Sequence, residues 1–173
     1  NTSVMMTQTG GGCRATNYIP LLRKALNDAG FSQVPVVSVS MGNKGVEQNP
    51  GFKFTLPMLK RIVVAFLYGD LFERAVYRTR PYELEKGQVD ALHQEWLTKV
   101  AKNVRNGSLT LFNRNMKKII RDFDTIALSD EVKPRVGVVG EILVKYSPTA
   151  NNDIVRLLEA EGAEAVVPDI IGF

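Results

Sequence analysis

Two strand-like runs, SVMM at residues 3 to 6 and PVVSVS at residues 35 to 40, are separated by a run of glycines and a single amphipathic stretch. Strand, turn, helix and strand within about 35 residues constitute a βαβ unit, which demands parallel strands joined by a right-handed crossover. The predicted helix covers residues 16 to 29, with Tyr18, Leu21, Leu22, Ala25 and Leu26 on one face and Gly30 placed to end it.

The middle of the chain changes period. GNKGVEQNPG, residues 42 to 51, is a loop by composition, and from 56 to 127 the apolar spacing is helical. One helix is predicted over 57 to 79, stopped before Pro81. A second, over 87 to 105, carries Val89, Leu92, Trp96, Val100 and Val104 at spacings of three and four and ends at Asn106-Gly107; a third covers 109 to 124. Strand signals return in RVGVVGEI, residues 135 to 142, followed by a helix over 151 to 161, Gly162, and a strand around 165 to 167. The expected fold is therefore α/β, a mainly parallel sheet of βαβ units with a helical insertion in the middle. It divides into a first βαβ half at 1 to 50, the insertion at 51 to 130 and a second, truncated half at 131 to 173.

A chain of 173 residues with 45% hydrophobic content can bury a sizeable core. The net charge of +4 and pI near 9.2 come without a block of like charges, which describes a solvated surface rather than a nucleic-acid footprint. The longest apolar run, residues 62 to 69 in KRIVVAFLYGD, is far short of the roughly 20 residues that span a bilayer, so no membrane partner is expected. One cysteine cannot form an internal disulfide, and no signal peptide is visible, which places the expected compartment in the cytoplasm. A start at Asn1 and an end just past AVVPDI read as the cut ends of a larger polypeptide.

The glycine run bears directly on function. Gly10-x-Gly12-x-x-Ala15 matches a dinucleotide fingerprint lying between strand and helix, but that motif requires an acidic residue at the end of the next strand. Here the strand runs out in Val39-Ser40-Met41-Gly42, with no carboxylate before Glu47, so the NAD or FAD reading fails. What remains is the physics of the turn: glycines permit close backbone approach, and a helix N-terminus favours an anion and a thiolate. Cys13 is thereby a buried structural thiol, a nucleophile or a metal ligand. A nucleophile wants a histidine base, and the one histidine, His93, falls beside the Leu92 and Trp96 face of the second helix. A metal or iron–sulfur site wants three or four ligands, so one thiolate must be completed from elsewhere. Three weaker constellations are a phosphate-binding group of Arg74, Arg78 and Arg80 with Tyr77 and Tyr82, a helical charge face of Lys117, Lys118 and Arg121, and Glu141 at a strand end where open α/β folds bind ligands.

TQTGGGCRATNYIPLLRKAL and VGVVGEILVKYSPTANNDIVRLLEAEGAEAVVPDI, with LYGDLFERAVYRTRPYE between them, resemble the activator proteins of 2-hydroxyacyl-CoA dehydratases in their large, fused form. The resemblance runs from about residue 4 to 173 and implies a piece of the region similar to the dehydratase D-component, an α/β fold that holds an iron–sulfur cluster of the 4Fe–4S kind through cysteines. It makes Cys13 the metal ligand, with Gly10, Gly11, Gly12 and Arg14 framing the cofactor: the glycines as close-approaching backbone, Arg14 as charge partner of an anionic cluster or an acyl-CoA phosphate. The partner cysteines of the full pattern are missing, so a cluster is expected in the full-length protein and not in this stretch alone, which by itself would be inactive as an enzyme. The ATP-hydrolysing part of such activators lies N-terminal to this region, so ATP would be bound outside this chain. The implied function is ATP-dependent, low-potential electron transfer for 2-hydroxyacyl-CoA dehydration or a related reduction. The partners this admits are a dehydratase or reductase protein, an acyl-CoA and a second copy of the chain. The competing reading from the residues alone is a non-catalytic α/β phosphate- or ligand-binding or scaffold domain with a structural cysteine.

Overall fold

The computed structural model describes residues 2–8, 14–40 and 55–171, and the chain divides into two units, Asn1–Phe54 and Thr55–Phe173.

In the first unit β1 (Val4–Gln8) pairs in parallel with β2 (Val36–Ser40), in register from Val4↔Val36 to Gln8↔Ser40. Between them a 3-10 turn, Arg14–Asn17, leads into α1 (Tyr18–Asp28). Ile19 is the buried anchor of this helix, and Gly30, at φ 81°, reverses the chain after it while the Phe31 amide donates to the Leu26 carbonyl at 2.7 Å.

The second unit is built on three helices. α2 (Leu56–Thr79) starts at Thr55, whose hydroxyl accepts the Met58 amide, and continues through a 3-10 turn at Arg80–Tyr82. α3 (Gln88–Asn106) begins where the buried Glu83 carboxylate accepts the amides of Gly87 and Val89, both at 2.9 Å. α4 (Leu109–Asp124) is capped by Ser108, which accepts the Leu111 amide at 3.2 Å. Val64, Tyr68, Phe72 and Val76 recur every four residues on α2 and meet Val89, Trp96 and Val100 of α3 and Phe112, Ile119 and Phe123 of α4 in one core. Within it the Tyr68 and Phe112 rings meet edge to face at 4.8 Å. Asn103, 1% exposed, satisfies its amide when its oxygen accepts the Tyr68 hydroxyl at 2.9 Å and the Phe112 amide at 3.1 Å while its nitrogen donates to the Ser108 carbonyl at 3.2 Å. One buried side chain thus ties the end of α3 to the start of α4.

Against this bundle lie β3 (Arg135–Gly137), α5 (Ile142–Tyr146), α6 (Pro148–Asn151), α7 (Ile154–Ala160) and β4 (Glu164–Val166). β3 and β4 pair in parallel from Arg135↔Glu164 to Gly137↔Val166. Val138, Val155 and Ala165 form a second, smaller core beneath them.

The expected α/β fold with a mainly parallel sheet of βαβ units is therefore corrected. Helix dominates, and among the described residues the strands form two separate two-stranded sheets, β1–β2 and β3–β4. The physical reason is visible at RVGVVGEI. Ladder bonding ends with the Val138 amide on the Val166 carbonyl, Gly140 turns at φ 148°, and Glu141 caps α5 instead of extending the strand. The single helix expected over 151 to 161 is likewise divided, because Asn152 and Asp153 both adopt the left-handed region, at φ 55° and 54°.

Candidate functional site

Gly10, Gly11, Gly12 and Cys13 lie outside the described residues; Arg14 opens the 3-10 turn that precedes α1. In sequence the segment 9–13 therefore joins the carboxyl end of β1 to the beginning of the crossover helix.

In the second unit the expected arginine–tyrosine group is pulled apart by the end of α2. Arg80 turns inward: its side chain is 9% exposed, its Nε and Nη2 donate to Glu159 at 2.8 Å, and its Nη1 donates to Asp90 at 3.1 Å. Burial works against the charge of Arg80, but the bonds and charges of Glu159 and Asp90 outweigh it and hold the guanidinium more firmly protonated than usual. Asp90 also accepts from Arg156 at 2.8 Å. Tyr82 is likewise committed, donating to Glu164 at 2.8 Å. These are structural contacts that join the bundle to α7 and β4.

Arg74, Tyr77 and Arg78 instead line a cavity of about 260 Å³ that runs along β4 and the residues following it, with Glu73 and Arg135 on its walls. Arg74 pairs with Asp169, and Arg135 donates to Glu164 at 3.0 Å. Arg78 is exposed and makes no ion pair among the described residues. Glu73 has no hydrogen bond among them either, and it also lines a second, larger groove of about 860 Å³ together with Phe72, Val76, Leu97 and His93. Burial, reinforced by the charges of Asp70 and Asp169 and only partly offset by Lys145, pushes the Glu73 carboxyl up to about 7. The Tyr77 hydroxyl, one turn along the same stripe, is raised by burial and by Glu73.

Just before Glu73, the buried Asp70 accepts the amides of Ile170 at 2.9 Å and Ile171 at 2.8 Å. The chain after β4 is thereby fastened across α2, with the Tyr146 hydroxyl donating to the Pro168 carbonyl on the same segment.

His93 packs against Phe72 with ring centroids 4.9 Å apart and the rings tilted by 48°; burial lowers its pKa, with Asp90 opposing that and Arg80 adding to it. Neutral and packed, it belongs to the groove wall. Glu141 caps α5, accepting the amides of Leu143 at 2.9 Å and Val144 at 3.2 Å. Lys117, Lys118 and Arg121 lie exposed along α4. Glu73 and Asp70 are the residues that sequence reasoning missed. The available signal was a carboxylate pair at i, i+3 inside an otherwise apolar helix, LYGDLFER, where charge is costly to bury.

Among the described residues no group of three or more His, Cys, Asp and Glu side chains is placed to hold a metal ion, and no helix is long and apolar enough to cross a membrane. No protein-family model matches the chain, and no match to it was found among curated proteins or solved structures.

Proposed function

We propose that this chain is part of a cytoplasmic iron–sulfur activator or dehydratase-like protein that takes part in ATP-dependent, low-potential electron transfer for 2-hydroxyacyl-CoA dehydration or a related reduction. The observation that carries this reading is the segment TQTGGGCRATNYIPLLRKAL, which places the single cysteine between the carboxyl end of a parallel strand and the start of its crossover helix. Ligands of open parallel sheets sit at that edge. A thiolate there is favoured by the amides of a helix start. One thiolate provides one corner of a cluster and no more, so the remaining ligands come from other polypeptide, whether a partner dehydratase or reductase, a second copy, or residues beyond these. ATP is hydrolysed outside this chain, and Gly10, Gly11, Gly12 and Arg14 frame the cysteine for an anionic cluster or an acyl-CoA phosphate.

A second reading is favoured by the cavity along β4. A non-catalytic phosphate- or ligand-binding or scaffold domain would use Arg74, Arg78 and Arg135 there and leave Cys13 structural.

Alkylation separates the two. Because the chain has a single cysteine, iodoacetamide modification followed by mass reads Cys13 without ambiguity. The ligand reading expects modification of the native protein with a thiol pKa below the free value of about 8.5. Modification only after unfolding would leave the structural reading.

A further inference from the structure

α2 places Asp70, Glu73, Arg74 and Tyr77 along one stripe at spacings of three, four and seven residues, facing the end of the chain. Three contacts fasten residues 168–171 there: Asp70 takes two backbone amides, Arg74 takes Asp169, and Tyr146 takes the Pro168 carbonyl. Glu73 sits amid these contacts and joins none of them among the described residues. Glu73 lines both the cavity along β4 and the groove beside α3.

We infer that residues 168–171 form a latch over the cavity along β4, closed while Glu73 carries a proton and loosened when Glu73 ionises. With the proton off, the carboxylates of Asp70, Glu73 and Asp169 act on one another in a largely buried place, and Asp169 is the one of the three that the latch carries. Opening removes that charge and gives Glu73 access to water, so the open form binds the Glu73 proton less tightly than the closed form. The surrounding charges do not cancel this effect. From α2 itself come Asp70, Arg74, Tyr77 and Arg78; Arg74 is committed to Asp169. α3 offers Asp90 and His93, of which Asp90 is held by Arg80 and Arg156. α5 contributes Lys145, whose opposing effect is the smallest of those acting on Glu73. The α6–α7 corner contributes Asp153 and Arg156, β3 contributes Arg135, and β4 contributes Glu164, the last two paired with each other.

The test is amide hydrogen exchange at Ile170 and Ile171, followed by NMR from pH 5.5 to 8.5 and divided by the intrinsic rate at each pH. If opening lowers the Glu73 pKa by about one, protection at both amides falls about tenfold across that range. In Glu73→Gln the protection should be flat with pH. A wild-type profile that is flat, or one that Glu73→Gln reproduces, overturns the latch. A second measurement does not depend on Glu73→Gln folding well: the Glu73 side-chain carboxyl carbon should titrate at lower pH in Asp169→Asn than in the wild type, and an unchanged titration overturns the latch equally.

Discussion

Arg80 and Glu159 meet through two hydrogen bonds of 2.8 Å with both side chains 9% exposed, although they lie 79 residues apart in sequence. The bidentate geometry fixes the far end of the helical bundle to α7, and Asp90 completes the set by bridging Arg80 and Arg156. A pair so buried resists the loss of one member more than the loss of both. Arg80→Ala should cost about 3–5 kcal/mol by leaving Glu159 charged and unpartnered, whereas Arg80→Met combined with Glu159→Leu should recover most of that loss. Urea unfolding midpoints of the three proteins, compared at equal slope, decide the matter.

Gly87 and Gly107 both hold left-handed backbone, at φ 92° and 66°, and bracket α3. They differ in surroundings. A Cβ at Gly87 would meet nothing within 4 Å, while at Gly107 it would lie 3.2 Å from the Arg61 amide nitrogen and 3.3 Å from the Lys60 Cβ. Gly87→Ala should cost about 1–2 kcal/mol from the backbone alone. Gly107→Ala should cost clearly more, because α2 would have to move. Thermal unfolding of the two variants side by side checks the order, and equal losses would refute the close approach of α2 to this turn.

The helices of the middle of the chain were legible because their apolar spacing is long and consistent: Val89, Trp96 and Val100 alone locate the buried face of α3. The sheet was not. RVGVVGEI has the composition of a central strand, yet its strand is only Arg135–Gly137, with one further ladder bond from Val138, and what ends it is a cap formed by Glu141, which composition hides. The arginines showed a similar limit. Arg74, Arg78 and Arg80 look alike in LYGDLFERAVYRTRPYE, but only contacts with residues some 80 to 95 positions away make Arg80 a buried strut and Arg74 a surface pair. Long-range partners of this kind leave no local mark. Asn103 is the same case in the core, a polar residue on an apolar helix face whose reason appears only when Tyr68, Ser108 and Phe112 arrive around it.

The Glu73 carboxyl titrates in the folded protein near 7, well above its ordinary 4.5, so the folded state holds the proton more tightly than the unfolded state. Its contribution to stability is complete below pH 4.5 and is lost as the pH rises through 7. Measured as the difference between wild type and Glu73→Gln, the wild type should lose stability relative to the variant between pH 4.5 and 7 and run parallel to it above pH 8. Unfolding in urea at a series of pH values gives that difference directly, and a difference independent of pH would contradict the assignment.

Iron and acid-labile sulfide bound by the protein as the cell makes it, purified without oxygen and compared with its Cys13→Ser variant, bear most directly on the proposed function. The account predicts a cluster whose electron paramagnetic resonance signal is abolished or altered in Cys13→Ser while the circular dichroism and unfolding midpoint stay unchanged, since serine differs from cysteine by a single atom. Equal iron, equal sulfide and an identical signal in the two proteins would contradict it.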